Sequence, residues 1–237
     1  STKLKSIIQE QNASVLVWTT TPWTLPANVA IAAHADFTYL VAKANDNIFI
    51  FVKELQDKLT EVLEFTGLEL LGELSGKDLK DTETKHPFID RTSKIVNANY
   101  VTKEDGTGFV HIAPGHGVDD YIVGQEHGLP IIMPVDDKGK FTGETPWEGT
   151  PVFEANKLIC ETMEQKKTLL KLFFIKHSYP HCWRCKKPLI FRATEQWFIA
   201  MDKKLENDKN TLREMALNEI KKTTWYPSWG ETRISSM

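Results

Sequence analysis

Within residues 106–121 a short apolar run, Phe109-Val110-His111-Ile112, enters a glycine-punctuated turn, Ala113-Pro114-Gly115-His116-Gly117. The acidic pair Asp119-Asp120 follows. Alternation along a strand puts Phe109 and His111 on one face and Val110 and Ile112 on the other. Pro114-Gly115 stops the strand, and the apolar spacing from Val118 to His127 is helical, so both aspartates fall in a first helical turn. Free N–H groups and the helix dipole favour carboxylates there. A glycine loop feeding a helix can also cradle phosphate, but such a loop usually brings a lysine, and this one brings two acids. Spacing alone leaves two readings: aspartates that cap a helix beside an ordinary half-buried histidine, or a carboxylate and an imidazole brought to one ligand.

A second cluster is Thr19-Thr20-Thr21 with Trp23, Thr24 and Asn28. Its hydroxyls and amide can hydrogen-bond a ribose or an ester carbonyl beside an apolar indole wall. Threonine is also simply a good strand residue. The third cluster is the knuckle His177-Ser178-Tyr179-Pro180-His181-Cys182-Trp183-Arg184-Cys185, whose C-x-x-C spacing supplies two thiolates for a zinc site. One such pair is half a tetrahedral site, and Cys160 lies within an expected helix. Zinc would need His177, His181 or ligands from outside the chain. A redox role lacks the thioredoxin-like βαβ context. The sequence has no G-x-S-x-G elbow, no H-E-x-x-H helix and no G-x-x-x-x-G-K-[ST] loop.

These clusters sit in a chain of 237 residues, 41% hydrophobic and 26% charged, which is enough for one large domain with an appendage. The net charge of −3 excludes a globally basic nucleic-acid binder, so any RNA contact must be local. Three cysteines argue against a disulfide framework and fit a reducing cytoplasm. No apolar run reaches the ~18 residues of a membrane span, and the first residues lack the apolar core of a signal peptide. No membrane partner is expected.

The elements that must position the clusters are mostly short strands. Strand character is read at residues 15–18, 29–33, 38–42, 48–52, 94–101 and 109–112, with a turn at Asn45-Asp46-Asn47. Residues 131–135 and 169–175 also read as strands. Helices are expected over 53–65, 118–127, 153–165 and 211–221, residues 1–11 are polar and short, and 68–92 is irregular. An aromatic-rich tail with Trp197, Phe198, Trp225, Tyr226 and Trp229 looks like a second, smaller unit.

Taken together, Trp18-Thr19-Thr20-Thr21-Pro22-Trp23-Thr24-Leu25-Pro26-Ala27-Asn28 and the 106–121 block resemble, in order and separation, the editing domain inserted into isoleucyl-tRNA synthetases. The His-Ser-Tyr-Pro-His-Cys-x-x-Cys knuckle and the ending Trp225-Tyr226-Pro227-Ser228-Trp229-Gly230 are also similar to that family. The resemblance implies an α+β fold with a barrel-like, mostly antiparallel sheet and flanking helices. Residues 1–191 would be the editing domain, and 192–237 a C-terminal stem returning toward a catalytic domain. The ATP signatures of a whole synthetase, His-x-Gly-His and Lys-Met-Ser-Lys-Ser, are missing, so the chain should not activate an amino acid.

The implied reaction is hydrolysis of valine from the 3′ end of isoleucine tRNA, with valyl-adenylate as a further substrate. One methylene separates valine from isoleucine, worth only about 1–3 kcal/mol, and isoleucine selection is itself the standard illustration of why a second sieve is needed. By resemblance, Asp120 binds the α-ammonium and His111 excludes isoleucine's extra methylene. Trp23 and Tyr179 hold the valine side chain between them, and Thr19, Thr20, Thr21 and Asn28 hold the ester, the water or the adenosine. Thr24, Gly115 and His116 complete the substrate-binding set. A positioned water would do the chemistry, because a carboxylate paired to an ammonium is a poor base. The implied partners are the tRNA 3′ end carrying valine and the remainder of the synthetase. Editing needs no cofactor, while Cys182 and Cys185 would be half of a structural zinc site in the full-length enzyme. Two rival classes are a non-catalytic tRNA-binding module and a metal-dependent hydrolase with His111, His116 and Asp120 as ligands.

Overall fold

The computed structural model describes residues 1–204 and 209–237; residues 205–208, within the expected stem, lie outside the described residues. The chain divides into two compact units, Ser1–Ala193 and Thr194–Met237.

The first unit is α+β and holds two four-stranded sheets. The first runs β1 (Ala13–Val15), β4 (Asn47–Val52), β3 (Thr38–Ala44), β5 (Glu69–Ser75). The second runs β6 (Glu83–Lys85), β7 (Thr92–Asn97), β2 (Ala30–Ala33), β8 (Phe109–Ile112). Pairing is mostly antiparallel; only β1 with β4 and β2 with β7 are parallel. Neither sheet closes on itself, so the barrel-like arrangement is two open sheets packed together.

The β3–β4 hairpin is dictated locally. Asn45 and Asp46 both take positive φ, 48° and 63°, which a two-residue turn between right-twisted strands requires and which Asn and Asp tolerate. Both faces of β4 are buried from Ile48 onward. Leu40, Val41, Ile50, Phe51 and Phe49 form the main core with Ile31, Ile95 and Phe109 of the second sheet. Two hydrogen bonds stitch the sheets beside β8: Val52 N–H donates to Thr107 O at 3.0 Å, and Tyr39 Oη donates to Gly108 O at 2.8 Å. Gly108 has φ +79°, and a Cβ there would stand 2.3 Å from Val52 Cβ. No other residue fits that approach.

Strand β2 consists of small or β-branched residues, all buried, between β7 and β8. Its register sets Ile31 opposite His111 and Ala30 opposite Ile112. After the turn, α4 (Val118–Glu126) starts with Asp119 and Asp120 in its first turn, but its N-cap is Gly117 and no side chain caps it. Helix α5 (Val152–Gln165) buries Val152, Ala155 and Ile159 against Trp23, Val135, Phe141 and Trp147, forming a second core. Helices α1 (Thr2–Ile8), α2 (Gln56–Val62) and α3 (Gly76–Leu79) flank the first sheet.

Four expectations are corrected. Residues 169–175 form no strand: the backbone of 170–179 makes no main-chain hydrogen bond, and a strand exists only where a ladder partner does. Residues 131–135 give only an isolated bridge at Val135, because Pro130 and Pro134 remove donors on either side. The 68–92 stretch is ordered as β5, α3 and β6, with edge-strand exposure hiding the alternation. Residues 1–11 contain α1, opened by the Ser1 cap, and Leu4 carries it into the core.

In the second unit, α6 (Leu212–Lys222) opens with a capping box in which Thr211 Oγ1 and the Glu214 carboxylate satisfy each other's backbone N–H. Helix α7 (Gly230–Ser235) follows, and Trp225 Nε1 donates to Ile220 O at 3.0 Å. Among the described residues no helix is long and apolar enough to cross a membrane.

Candidate functional site

The threonine block and the histidine strand meet because residues 22–27 fold as a 3-10 turn, Pro22–Ala27, with Pro22 at its first position. Asn156 of α5 anchors this turn by accepting the Trp23 N–H at 2.8 Å. The turn carries Thr24 into the interior, where its Oγ1 lies 2.9 Å from His111 Nε2, a contact across 87 residues of sequence. A cleft of about 300 Å³ opens beside this contact, lined by Thr19, Thr20, Thr21, Thr24, His111, His116 and Asp120. Trp18 and, from the 102–106 segment, Thr102, Asp105 and Gly106 also line it. Exposed ion pairs, Lys58–Asp105 and Lys103–Glu54, each at 2.7 Å, tether that segment at a modest gain.

The threonine hydroxyls are chained. Thr19 Oγ1 accepts the Thr21 N–H at 3.0 Å and lies 3.4 Å from Thr21 Oγ1, which lies 3.4 Å from Thr24 Oγ1. Thr24 Oγ1 also lies 2.9 Å from Thr21 O. Its contact with His111 Nε2 forms with either imidazole tautomer, the hydroxyl donating in one and accepting in the other. His111 is 9% exposed, and burial, with smaller contributions from His86 and His116, pushes its pKa down to about 4. It is neutral at pH 7. His116, 7% exposed, donates from Nδ1 to Phe191 O at 2.9 Å, so its Nε2 is an acceptor in the neutral ring; burial again lowers its pKa. The buried Nδ1 of His111 and Nε2 of His116 have no partner among the described residues.

Asp120 is the cleft's half-buried carboxylate, Asp105 being exposed and paired with Lys58. Asp120 Oδ2 accepts the Ala113 N–H at 2.9 Å, which ties α4 to the end of β8, and its Oδ1 accepts from Tyr100 Oη at 3.4 Å. Gly117 leaves room for it: a Cβ there would stand 3.0 Å from Asp120 Cγ. Burial raises the Asp120 pKa, the Ala113 and Tyr100 donors oppose that, and Asp119 adds to it. A half-buried carboxylate under this desolvation is stabilised by a cation placed against it. Neutral imidazoles, hydroxyls and two carboxylates, the half-buried Asp120 and the exposed, Lys58-paired Asp105, therefore make a cleft suited to a cationic, hydrogen-bonding ligand.

Several residues singled out in the sequence lie elsewhere. Trp23, 2% exposed, packs in the second core, edge-on to His116 with ring centroids 4.9 Å apart, and does not line the cleft. Tyr179 is near it through Phe153 and donates to Leu189 O at 2.9 Å. Asn28 is buried and fully engaged: it donates to Ala30 O at 2.8 Å and accepts from Ser93 Oγ at 2.6 Å. Gly115 approaches Ile132 O so closely that a Cβ would stand 2.7 Å from it, and its carbonyl accepts from Ala193 N–H. Three residues that the sequence reading passed over, Tyr100, Thr102 and Trp18, contribute to the cleft or to Asp120. Trp18 adjoins the threonine block, but nothing in the sequence marks the other two.

Cys182 and Cys185 lie in an exposed turn. Cys182 N–H donates to Lys187 O at 2.8 Å, and Cys185 N–H points to Cys182 Sγ at 3.5 Å. Backbone donors from Cys185 and Arg184 lower the Cys182 pKa, the polarity that a thiolate ligand needs. Among the described residues, no group of three or more His, Cys, Asp or Glu could hold a metal. Two thiols are two of the four ligands that a structural zinc site takes.

Over residues 2–168 the chain matches the family described as leucyl-tRNA synthetase, editing domain. It is 49% identical over 232 residues to the isoleucine–tRNA ligase of Fervidobacterium pennivorans, covering 98% of this chain and 25% of that protein. Against the Persephonella marina isoleucine–tRNA ligase it is 49% identical over 230 residues, covering 96% and 24%. The chain thus spans about a quarter of the length of these relatives. Its fold is similar to the crystal structure of GlLeuRS-CP1, with TM-score 0.59 and 15% identity over 76% of this chain and 91% of that one. It is also similar to the Plasmodium knowlesi cytosolic leucyl-tRNA synthetase editing domain, with TM-score 0.54 and 11% identity over 68% and 85%.

Proposed function

The chain belongs to the aminoacyl-tRNA synthetase editing-domain family, and from that premise we propose that its cleft hydrolyses the ester joining valine to the 3′-terminal adenosine of isoleucine tRNA. Valyl-adenylate is a second substrate. The observation that carries this reading is the convergence of Asp120, two neutral histidines and the Thr19-Thr20-Thr21-Thr24 hydroxyls on one cleft. The Asp120 carboxylate takes the α-ammonium, a charge-assisted contact that relieves its desolvation. His111, held by Thr24, measures the side chain. Thr19, Thr20 and Thr21 orient the ester and the attacking water. His116 and Gly115 shape the turn, while Trp23, Tyr179 and Asn28 support the cleft from behind.

In the reaction, water oxygen bonds to the ester carbonyl carbon, the bond from that carbon to the ribose oxygen breaks, and the ribose oxygen takes a proton. Valine and an uncharged tRNA leave. Rate enhancement comes from positioning and from hydroxyl dipoles aimed at the developing oxyanion. With its carboxylate paired to the ammonium, Asp120 orients rather than deprotonates, and a substrate ribose hydroxyl serves the proton transfer. Cys182 and Cys185 form half of a zinc site completed by the remainder of a cytoplasmic synthetase, and residues 192–237 form the stem toward it.

The test is deacylation of valine-charged isoleucine tRNA by this chain, with and without a chelator. Activity that resists chelation and disappears in Asp120→Ala supports the proposal. Chelator-sensitive activity favours a metal hydrolase, and tRNA binding without turnover favours a binding module.

A further inference from the structure

Asp120 can select a cation only if its carboxylate faces the cleft in one orientation, and a carboxylate on the first turn of a helix has two free torsions. One oxygen is fixed by the backbone, through the Ala113 N–H at 2.9 Å. The other faces Tyr100 Oη at 3.4 Å. Tyr100 lies just beyond the Asn97 end of β7, and its ring packs against the core formed by Ala30, Ala32, Val96, Ile112 and Val123, which belong to the strands and helix around the cleft. The phenol is therefore aimed by packing and has a single proton to give. Burial and the neighbouring acids Asp120 and Asp119 raise its pKa, so it stays a donor throughout the neutral range.

We infer that Tyr100 is a positioning residue: its hydroxyl locks the Asp120 carboxylate in the orientation that receives the substrate ammonium. The contact is long for an O–H···O bond, as such contacts often are before a ligand draws the groups together. Every donor that favours the carboxylate form comes from Tyr100 or Ala113; the other titratable groups around the cleft are Asp119, on the same helix, His111, His116, and Asp105 with its partner Lys58. Neither histidine hydrogen-bonds the Asp120 carboxylate, His116 being committed to Phe191 O, so neither substitutes for the phenol. This role deepens the deacylase reading and rests on it for the identity of the cation.

Tyr100→Phe keeps the ring and its packing and removes only the hydroxyl. Two measurements on the full chain separate this inference from the deacylase reading. The first, carbon NMR titration of the Asp120 carboxyl, needs no substrate. Loss of a donor to the charged form should move the Asp120 pKa upward by ~0.3–1 unit in Tyr100→Phe; an unchanged value overturns the inference whatever the chain's activity. The second is binding of a non-hydrolysable valine amide of adenosine. The expected result is about threefold to tenfold weaker binding in Tyr100→Phe, with no such difference between Asp120→Asn and the Asp120→Asn/Tyr100→Phe double variant. An equal loss in both backgrounds means that Tyr100 acts only through packing and overturns the inference. If the wild-type chain fails to bind the amide while the titration shift is present, the deacylase reading fails and the positioning of Asp120 stands.

Discussion

The turn at 106–121 and the knuckle at 177–188 are equally rich in histidine, tight turns and reactive side chains, but they stand in opposite surroundings. In the first, the decisive contacts join distant parts of the chain: His111 to Thr24 across 87 residues and His116 to Phe191 across 75. In the second they are local, as with His181 Nδ1 to Tyr179 O two residues away, and Trp183 is 76% exposed. Long-range contacts desolvate the first region, orient its imidazoles and shift its pKa values. The knuckle keeps its side chains exposed and in local contacts. Chemistry-bearing residues converge where the fold buries and orients them, and stay separate where it does not.

This contrast can be broken in five ways, from the largest expected effect to the smallest. Asp120→Ala should lower kcat/KM for valine-charged tRNA by on the order of 10²–10³, since it leaves the ammonium unpaired; a loss below about tenfold would remove the cleft's claim to be the site. Acid should come next. His111 and His86 both have pKa values depressed by burial from 6.5 to about 4. Their contribution to stability is full above pH 6.5 and is lost as pH falls through about 4, up to about 3 kcal/mol each. Asp120, with its raised pKa, has the opposite sign, contributing below its unfolded value and losing that contribution as pH rises. Denaturant midpoints between pH 7 and 4 check this, and a flat profile would mean that the histidines are not buried neutral.

Gly108→Ala, at φ +79° and against Val52, should cost roughly 2–4 kcal/mol by urea unfolding. His111→Ala should leave valine hydrolysis measurable while letting isoleucine-charged tRNA be hydrolysed about tenfold faster, the scale of one methylene. Unchanged discrimination would place the sieve elsewhere. Finally, Cys182→Ser should change deacylation by less than about twofold, because Cys182 is not among the residues that line the cleft. A large loss there would erase the contrast between the two regions.

Much of this was legible in the sequence, and the failures have physical causes. The β3–β4 hairpin, the 109–112 strand and the acidic start of α4 follow from alternation and turn residues, which act over a few positions. The strand expected at 169–175 fails because β-propensity is a statement about a partner, and the sequence cannot show that the backbone of 170–179 meets none. The apolar run 131–135 has strand composition, but Pro130 and Pro134 remove two ladder donors and leave only the bridge at Val135. Within the site, the convergence of the threonine block on His111 comes from the family resemblance, since no spacing rule pairs residues 87 apart. Tyr100 was invisible: a lone tyrosine after a strand has no local signature, and its reach to Asp120 exists only once β7 and α4 are neighbours.

The most direct measurement is the structure of this chain with a non-hydrolysable valine amide of adenosine bound. The expected result is the α-ammonium within about 3 Å of an Asp120 oxygen, with the amide carbonyl beside Thr19-Thr20-Thr21 and the valine methyls against His111. An ammonium that pairs with any other group, or an analogue seated outside the cleft, would contradict the assignment of this cleft.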